Sequence, residues 1–231
     1  MSSDPTLVLV HGAWHGAWCW SPFKKVMADR GITSVAVDLT SQGDDVTVIG
    51  DLRSDVALLR DTIANVAGPV VVLSHSAYGG MVTSEAADGL DNVSRLIYLT
   101  SFVPEVGESL SGIFGSSGPP PFVVASNGLL TVKEGWGRRL FYTNSTEEVA
   151  LESERKLQPQ AAVTFGQEVG AAAWRKIPSS YVICTEDQAM SKVGQRRMAD
   201  RIGGDAVELP GDHCSFLSQP KRLAELITER F

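Results

Sequence analysis

The chain alternates short apolar runs with longer stretches in which apolar residues recur every three or four positions. Leu7-Val8-Leu9-Val10, Val35-Ala36-Val37, Val70-Val71-Val72-Leu73, Leu96-Ile97-Tyr98-Leu99 and Tyr181-Val182-Ile183-Cys184 are each too short for a helix. They are rich in β-branched residues and carry no polar alternation, as expected of strands covered on both faces. Ala206-Val207-Glu208-Leu209 reads as a weaker sixth strand. Between them Leu52, Val56, Leu59 and Ile63 fall on one helical face, and Gly68-Pro69 closes that segment. Leu223, Leu226 and Ile227 mark a last helix behind Pro220. The alternation predicts an α/β domain with a doubly wound, mostly parallel sheet and helices on both faces. Ligands of such sheets bind beyond the carboxyl ends of the strands, so the residues just after each strand are the candidates for chemistry.

One stretch breaks the rhythm. From Val103 to Ile177 no buried strand stands out, and the segment holds the Gly/Pro-rich Gly115-Ser116-Ser117-Gly118-Pro119-Pro120-Pro121. A structureless loop of that length is improbable in a folded domain. The expectation is an inserted, largely helical lid over 103–177, with Pro104 and Pro178 near its hinges and a core made of 1–102 and 178–231.

Composition narrows the function classes. The 231 residues are 43% hydrophobic and 20% charged with a formal charge of -7, ordinary globular usage that argues against disorder. No basic stripe offers a nucleic-acid or anionic-membrane surface, and no apolar run approaches the roughly 20 residues of a membrane span. Cys19, Cys184 and Cys214 are widely spaced and form no CxxC pair, which speaks against a disulfide framework or a structural zinc site. The first residues lack the basic start and apolar stretch of a secretory leader, so a cytoplasmic location is expected.

The strongest chemical signal is Val72-Leu73-Ser74-His75-Ser76-Ala77-Tyr78-Gly79-Gly80-Met81. A buried strand runs into small residues, a central serine, a glycine pair and a helical stretch, the setting of a nucleophile elbow usually written G-x-S-x-G. Tyr78 stands where the second glycine belongs, and the glycine pair comes one residue late. Two registers follow. Counting from the strand puts Ser76 at the apex; counting back from Gly79-Gly80 puts Ala77 there, where it could attack nothing.

Two later loops complement the serine. The strand at Tyr181 leads into Thr185-Glu186-Asp187, and the strand at Ala206 leads into Pro210-Gly211-Asp212-His213. A serine hydroxyl needs an imidazole to take its proton, and the imidazole needs an acceptor on its other nitrogen. Ser76, Asp187 and His213 occur in the Ser…Asp…His order of one known triad arrangement. Asp187, one step further into its loop, suits the acceptor role better than Glu186, while Asp212 reads as capping or solvating its loop. His75 reads as packing of the elbow and His15 as a surface or helix-entry residue. His11 and His15 have metal-like spacing but lie among glycines that disfavour the helix needed to align them. Cys214 reads as a small buried residue. After the first strand, Val10-His11-Gly12-Ala13-Trp14 exposes backbone N–H groups suited to an oxyanion hole, with Ala13 and Ala77 as donors. Trp14 is a pocket candidate, whereas Trp18 and Trp20 read as packing.

Together His11-Gly12-Ala13-Trp14-His15-Gly16-Ala17-Trp18-Cys19-Trp20, the elbow at Ser76–Gly80, Cys184-Thr185-Glu186-Asp187 and Gly211-Asp212-His213 resemble the α/β-hydrolase superfamily. The likeness is to its short branch of plant methyl-ester esterases, hydroxynitrile lyases and related bacterial esterases. It covers 5–102 and 178–231, and implies Ser76, Asp187 and His213 as triad with Ala13 and Ala77 amides as oxyanion donors. The lyase branch carries a lysine after the catalytic histidine and a hydroxyl in the oxyanion loop; Cys214 and Ala13 stand there, which disfavours cyanohydrin cleavage. The expectation is a serine hydrolase of a carboxylic ester or lactone, with Phe114, Phe122, Trp136 and Trp174 of the lid as pocket candidates beside Trp14. The alternative is a catalytically altered ligand-binding or cofactor-independent protein of the same fold. No metal and no cofactor are expected. The expected partner is a small-molecule ester or lactone, with a homodimer left open and no nucleic acid or membrane.

Overall fold

The apolar runs pair side by side because strands with apolar side chains on both faces can be satisfied only in the middle of a layered structure, and the less buried runs at Ser34–Val37 and Ala206–Leu209 take the two edges. The computed structural model describes residues 5–115 and 123–231; part of the Pro-rich stretch, and with it Phe122, lies outside the described residues. The core elements are β1 (Thr6–Val10), α1 (Ser21–Asp29), β2 (Ser34–Val37), α2 (Leu52–Ala64), β3 (Val70–His75), α3 (Ser76–Ala86) and β4 (Val93–Leu99). An intervening segment contains α4 (Leu110–Phe114), β5 (Val123–Ser126), β6 (Leu129–Val132), α5 (Trp136–Leu140), α6 (Glu147–Arg155), β7 (Gln160–Ala161) and α7 (Val163–Gly166). The core then resumes with β8 (Ser179–Cys184), α8 (Lys192–Arg201), β9 (Ala206–Leu209), α9 (Ser215–Ser218) and α10 (Pro220–Thr228).

The core strands form one sheet in the order β2-β1-β3-β4-β8-β9, and every pairing is parallel. The chain steps from β1 to β2 in one direction and from β2 past β1 to β3 in the other. Right-handed crossovers therefore place α1 on one face and α2, α3 and α8 on the opposite one. The sheet reverses its winding between β1 and β3, so the loops leaving those two strands open a crevice at their carboxyl ends. Leu7 to Val10 and all of β3 are buried, and Trp20, Phe23, Leu59, Ile63 and Phe216 pack the two faces. The helix on Leu52, Val56, Leu59 and Ile63 spans Leu52–Ala64 and begins in a capping box: the Asp51 carboxylate accepts from Ser54 N–H while Asp51 N–H donates to Ser54 Oγ. Pro220 opens α10 at its first turn, where a missing N–H is harmless.

The segment from 103 to 177 departs from expectation. It is not purely helical, because β5, β6 and β7 make a three-stranded antiparallel sheet. A sequence signal for it exists: Asn127 and Gly128, both at positive φ (51° and 80°), join β5 to β6 as an Asn-Gly hairpin turn. The strands are two to four residues long and β5 is mostly exposed, so they lack the apolar run that marks the core strands. Among the described residues no helix is long and apolar enough to cross a membrane.

The glycine pair of the elbow has a packing reason. A Cβ on Gly79 would stand 2.9 Å from His11 O, and one on Gly80 would stand 2.0 Å from Phe102 O. Both neighbours are backbone and cannot swing aside, so α3 can lie against β1 and β4 only with glycine at these two positions. Gly80→Ala is expected to lower stability by at least about 2 kcal/mol, read as a fall of about 4–8 °C in the thermal midpoint. A variant melting with the unaltered protein would show that this approach is not tight.

Candidate active site

Every functional candidate after a core strand is brought to the crevice at the carboxyl edge of the sheet. β3 ends at His75, and Ser76 follows at φ 63°, the left-handed region that a non-glycine residue occupies only at a cost. The apex of the turn is therefore Ser76, and Ala77 lies inside α3. Tyr78, the residue that blurred the register, points away from the crevice: its hydroxyl donates to the buried Asp55 carboxylate at 2.6 Å. Asp55 also accepts from Thr40 N–H (2.6 Å), Thr40 Oγ1 (2.8 Å) and Ser41 Oγ (2.5 Å), so Tyr78 locks α3 to α2 and to the loop after β2.

Ser76 Oγ lies 3.0 Å from His213 Nε2, and His213 Nδ1 lies 2.8 Å from Asp187 Oδ2. An ionised carboxylate can only accept, so Nδ1 carries the proton and the bare Nε2 faces the serine hydroxyl. Asp187 is buried, and each of its oxygens is held twice: Oδ1 by Ala189 N–H (2.7 Å) and Met190 N–H (2.9 Å), Oδ2 by His213 and by the Thr100 hydroxyl. Glu186 is exposed and takes Asn144 Nδ2 at 2.7 Å instead. Asp212 is buried rather than solvated; it accepts from Asn144 N–H (2.9 Å) and Ser218 Oγ (2.8 Å), and burial pushes its carboxyl pKa up.

Ala13 is buried in the loop after β1, next to Gly12. Ala77 is the second residue of α3, where an N–H has no partner within the helix. Gly12 lies directly over the nucleophile position: a Cβ there would stand 2.6 Å from Ser76 Cβ and 3.1 Å from its Oγ. Trp14, again at φ 63°, is buried and donates its indole N–H to Leu130 O of β6 at 2.9 Å, while Gln158 N–H donates to Trp14 O at 2.8 Å. The oxyanion-side loop is thus fastened to the intervening segment. Phe141 and Phe165 pack on Trp14 at 6.2 and 5.9 Å between ring centroids, and Phe141 stands 5.4 Å from the His213 ring. Trp136 is half-buried at the head of α5 with the Arg139 guanidinium 5.9 Å from its ring. Trp174 donates its indole N–H to Pro104 O at 2.7 Å, which joins the two ends of the intervening segment. Phe114 is 45% exposed, its ring 5.2 Å from Phe102, and Phe122 lies outside the described residues.

His15, read from the sequence as a surface or helix-entry residue, precedes the short helix Ala17–Trp20 but does not lie at the surface. It is buried, because the intervening segment lays Tyr142 and Phe141 over it. Its Nδ1–H donates to Ala13 O at 2.9 Å and its Nε2 accepts from Tyr142 O–H at 2.9 Å. His75 donates Nε2–H to the His213 carbonyl at 3.0 Å, and His11 donates Nδ1–H to Gly12 O at 2.8 Å while accepting Leu39 N–H at 3.1 Å. All three rings are neutral: burial lowers the pKa of His11, pushes His15 down to about 3 and holds His75 well below its ordinary value. Cys214 is buried behind them with Sγ 3.5 Å from His15 Nε2, and burial raises its thiol pKa. Among the described residues no group of three or more His, Cys, Asp or Glu side chains could hold a metal ion.

A strained serine after β3, an imidazole after β9 and a carboxylate after β8 are thus brought together. The model of the alpha/beta hydrolase family matches residues 7–226. The chain belongs to that family. Among the relatives of this alpha/beta hydrolase is salicylic acid-binding protein 2 of Nicotiana tabacum, 26% identical over 99% of this chain and 98% of the relative. Methylesterase 8 of Arabidopsis thaliana is 27% identical over 94% of this chain and 86% of its own length. A crystal structure of a pyrethroid hydrolase from Sphingobium faniae superposes with a TM-score of 0.84 at 25% identity, covering 98% of this chain and 97% of that one.

The three neutral histidines make the hydrolase acid-sensitive. Above about pH 7 neither the folded nor the unfolded chain protonates them, and they leave stability unchanged. Below their unfolded value of 6.5 the unfolded chain binds protons that the folded chain refuses, so stability falls with pH. His15, whose folded value of about 3 lies below the whole interval, costs about 1 kcal/mol between about pH 6.5 and about 5.5, and His11 and His75 add losses of the same sign. Urea unfolding across that interval checks it, and a flat midpoint would mean that the rings are protonated in the folded protein.

Proposed function

We propose that the protein is a carboxylic-ester hydrolase working through an acyl-enzyme, with Ser76 as nucleophile, His213 as general base and then acid, and Asp187 as the group that orients and stabilises the imidazole. The observation that carries this is the continuous relay from Ser76 Oγ to His213 Nε2 (3.0 Å) and from His213 Nδ1 to Asp187 Oδ2 (2.8 Å), built on a left-handed serine. The hydrolases and esterases among its relatives support the same class of reaction.

The chemistry follows from the geometry. Ser76 Oγ attacks the ester carbonyl carbon while its proton passes to His213 Nε2, giving a tetrahedral oxyanion and an imidazolium paired with Asp187. The N–H groups of Ala13 and Ala77 face the developing charge, and donors fixed in advance pay no reorganisation at the moment of reaction. Nε2–H then protonates the leaving alkoxide, which departs as the alcohol and leaves Ser76 acylated. Water, deprotonated by the same nitrogen, attacks the acyl carbonyl and releases the carboxylic acid with Ser76 restored. A lactone would run the same steps with the alcohol and acid remaining in one molecule. Trp14, Phe141 and Phe165 place aromatic surface beside His213, which suits an apolar, uncharged substrate.

A fluorophosphonate is expected to label the protein on Ser76, and Ser76→Ala is expected to lose both labelling and turnover of a chromogenic short-chain ester, by about 10³-fold or more. Undiminished turnover in Ser76→Ala would remove this serine from the mechanism. An unlabelled, inactive but folded protein would instead favour a ligand-binding role for the same crevice.

A further inference from the structure

The turn leaving β4 carries a backbone conformation that packing alone does not call for. Thr100 is fully buried at φ 39°, and a β-branched residue in the left-handed region is an outlier that persists only where its surroundings impose it. In that conformation its N–H donates to Val182 O at 3.0 Å, and its hydroxyl donates to Asp187 Oδ2. This is the same oxygen that accepts His213 Nδ1–H. The next residue continues the pattern: Ser101 Oγ donates to Ser76 O at 2.7 Å, and Ser101 N–H donates to the Tyr181 hydroxyl at 2.8 Å. One three-residue turn therefore touches the acid through Thr100, the backbone of the nucleophile through Ser101 and helix α3 through Phe102 O against Gly80.

We infer that Thr100 is a positioning residue for the reaction proposed above: its hydroxyl fixes the plane of the Asp187 carboxylate so that His213 stays aimed at Ser76. The inference rests on the Ser76–His213–Asp187 assignment. A carboxylate rotates about its last bond unless donors hold both oxygens, and the two N–H groups on Oδ1 leave Oδ2 to be fixed by something other than the mobile imidazole. Thr100 supplies that donor from a strand end, a rigid support.

The test compares Thr100→Val, which keeps the branched shape and removes the hydroxyl, with Thr100→Ser, which keeps the hydroxyl and removes the branch. Turnover of a short-chain chromogenic ester and the rate of fluorophosphonate labelling are measured for both. Thr100→Val is expected to lose roughly 10–100-fold in kcat and in labelling rate with KM within about 2-fold, since misaiming of a catalytic group acts on the reaction and not on binding. Thr100→Ser is expected to keep both rates within about 3-fold. Wild-type rates in Thr100→Val would overturn the inference, as would equal losses in the two variants, which would trace the effect to shape. Should Thr100→Val not fold, Thr100→Ala against Thr100→Ser carries the same comparison. If the unaltered protein is not labelled on Ser76, the hydrolase assignment fails first and takes this inference with it.

Discussion

The structure turns on the left-handed backbone at Ser76. A non-glycine residue in that conformation costs about 1–3 kcal/mol, and it is retained only because the chain on either side leaves no alternative. β3 is central in the sheet and buried along its length, so its last residue cannot move, and α3 begins at once with Ser76. The helix must then pass within contact of the loop after β1 and the turn after β4. Gly79 and Gly80 make those approaches, and Gly12 makes the approach from the other side. Three glycines thus surround one strained serine, and each sits where any side chain would meet an atom that cannot yield. The strain and the close packing are two aspects of one constraint, which pushes the hydroxyl out at the carboxyl edge of the sheet.

Around that hydroxyl the protein arranges groups with settled proton positions. Each of the four histidines has one ring nitrogen facing a carbonyl or carboxylate acceptor, so its tautomer is dictated by its neighbour. Three of them are buried and stay neutral; among the described residues His213 is the histidine whose ring hydrogen-bonds to a carboxylate, whereas the carboxylate nearest His11 is the exposed Asp38 at 3.9 Å. An imidazolium formed at His213 therefore meets its counter-ion in place, whereas one formed at His75 or His15 would meet none. The division of labour among chemically identical side chains comes from their surroundings.

How much of this the sequence displays depends on how local the cause is. The core strands are legible because burial on both faces leaves unbroken apolar runs, and Ser76, Asp187 and His213 are legible because each follows such a run. The glycine pair alone leaves the register open to Ala77 as well, since it does not show that Tyr78 finds its partner in Asp55 on another helix. His15 looked exposed because the residues that cover it, Phe141 and Tyr142, come from a segment more than a hundred residues away. The small sheet of β5 to β7 escaped because its strands are short and half in solvent, although the Asn127-Gly128 turn was there to be read. Thr100 carries no sequence signal at all. Nothing about a threonine after a strand announces its backbone angle or the carboxylate it meets.

The segment between 103 and 177 is tied into the machinery as well as lying beside it. Trp14 belongs to the loop that carries Ala13, the oxyanion donor of the proposed reaction, yet its indole and its carbonyl are both held by that segment, at Leu130 and Gln158. Phe141 touches His213 from the same segment and gives its carbonyl to Cys214 N–H at 3.1 Å, while Asn144 is bound by Asp212 and Glu186. The loops after β1, β8 and β9 are thus each pinned by residues of the segment that also supplies Phe141 and Phe165 to the aromatic surface on Trp14 and His213. In the proposed reaction, substrate selection and transition-state stabilisation cannot be separated by element. A change in this segment that reshapes the pocket also shifts the N–H group and the imidazole on which the chemistry depends, because the same few hydrogen bonds serve both.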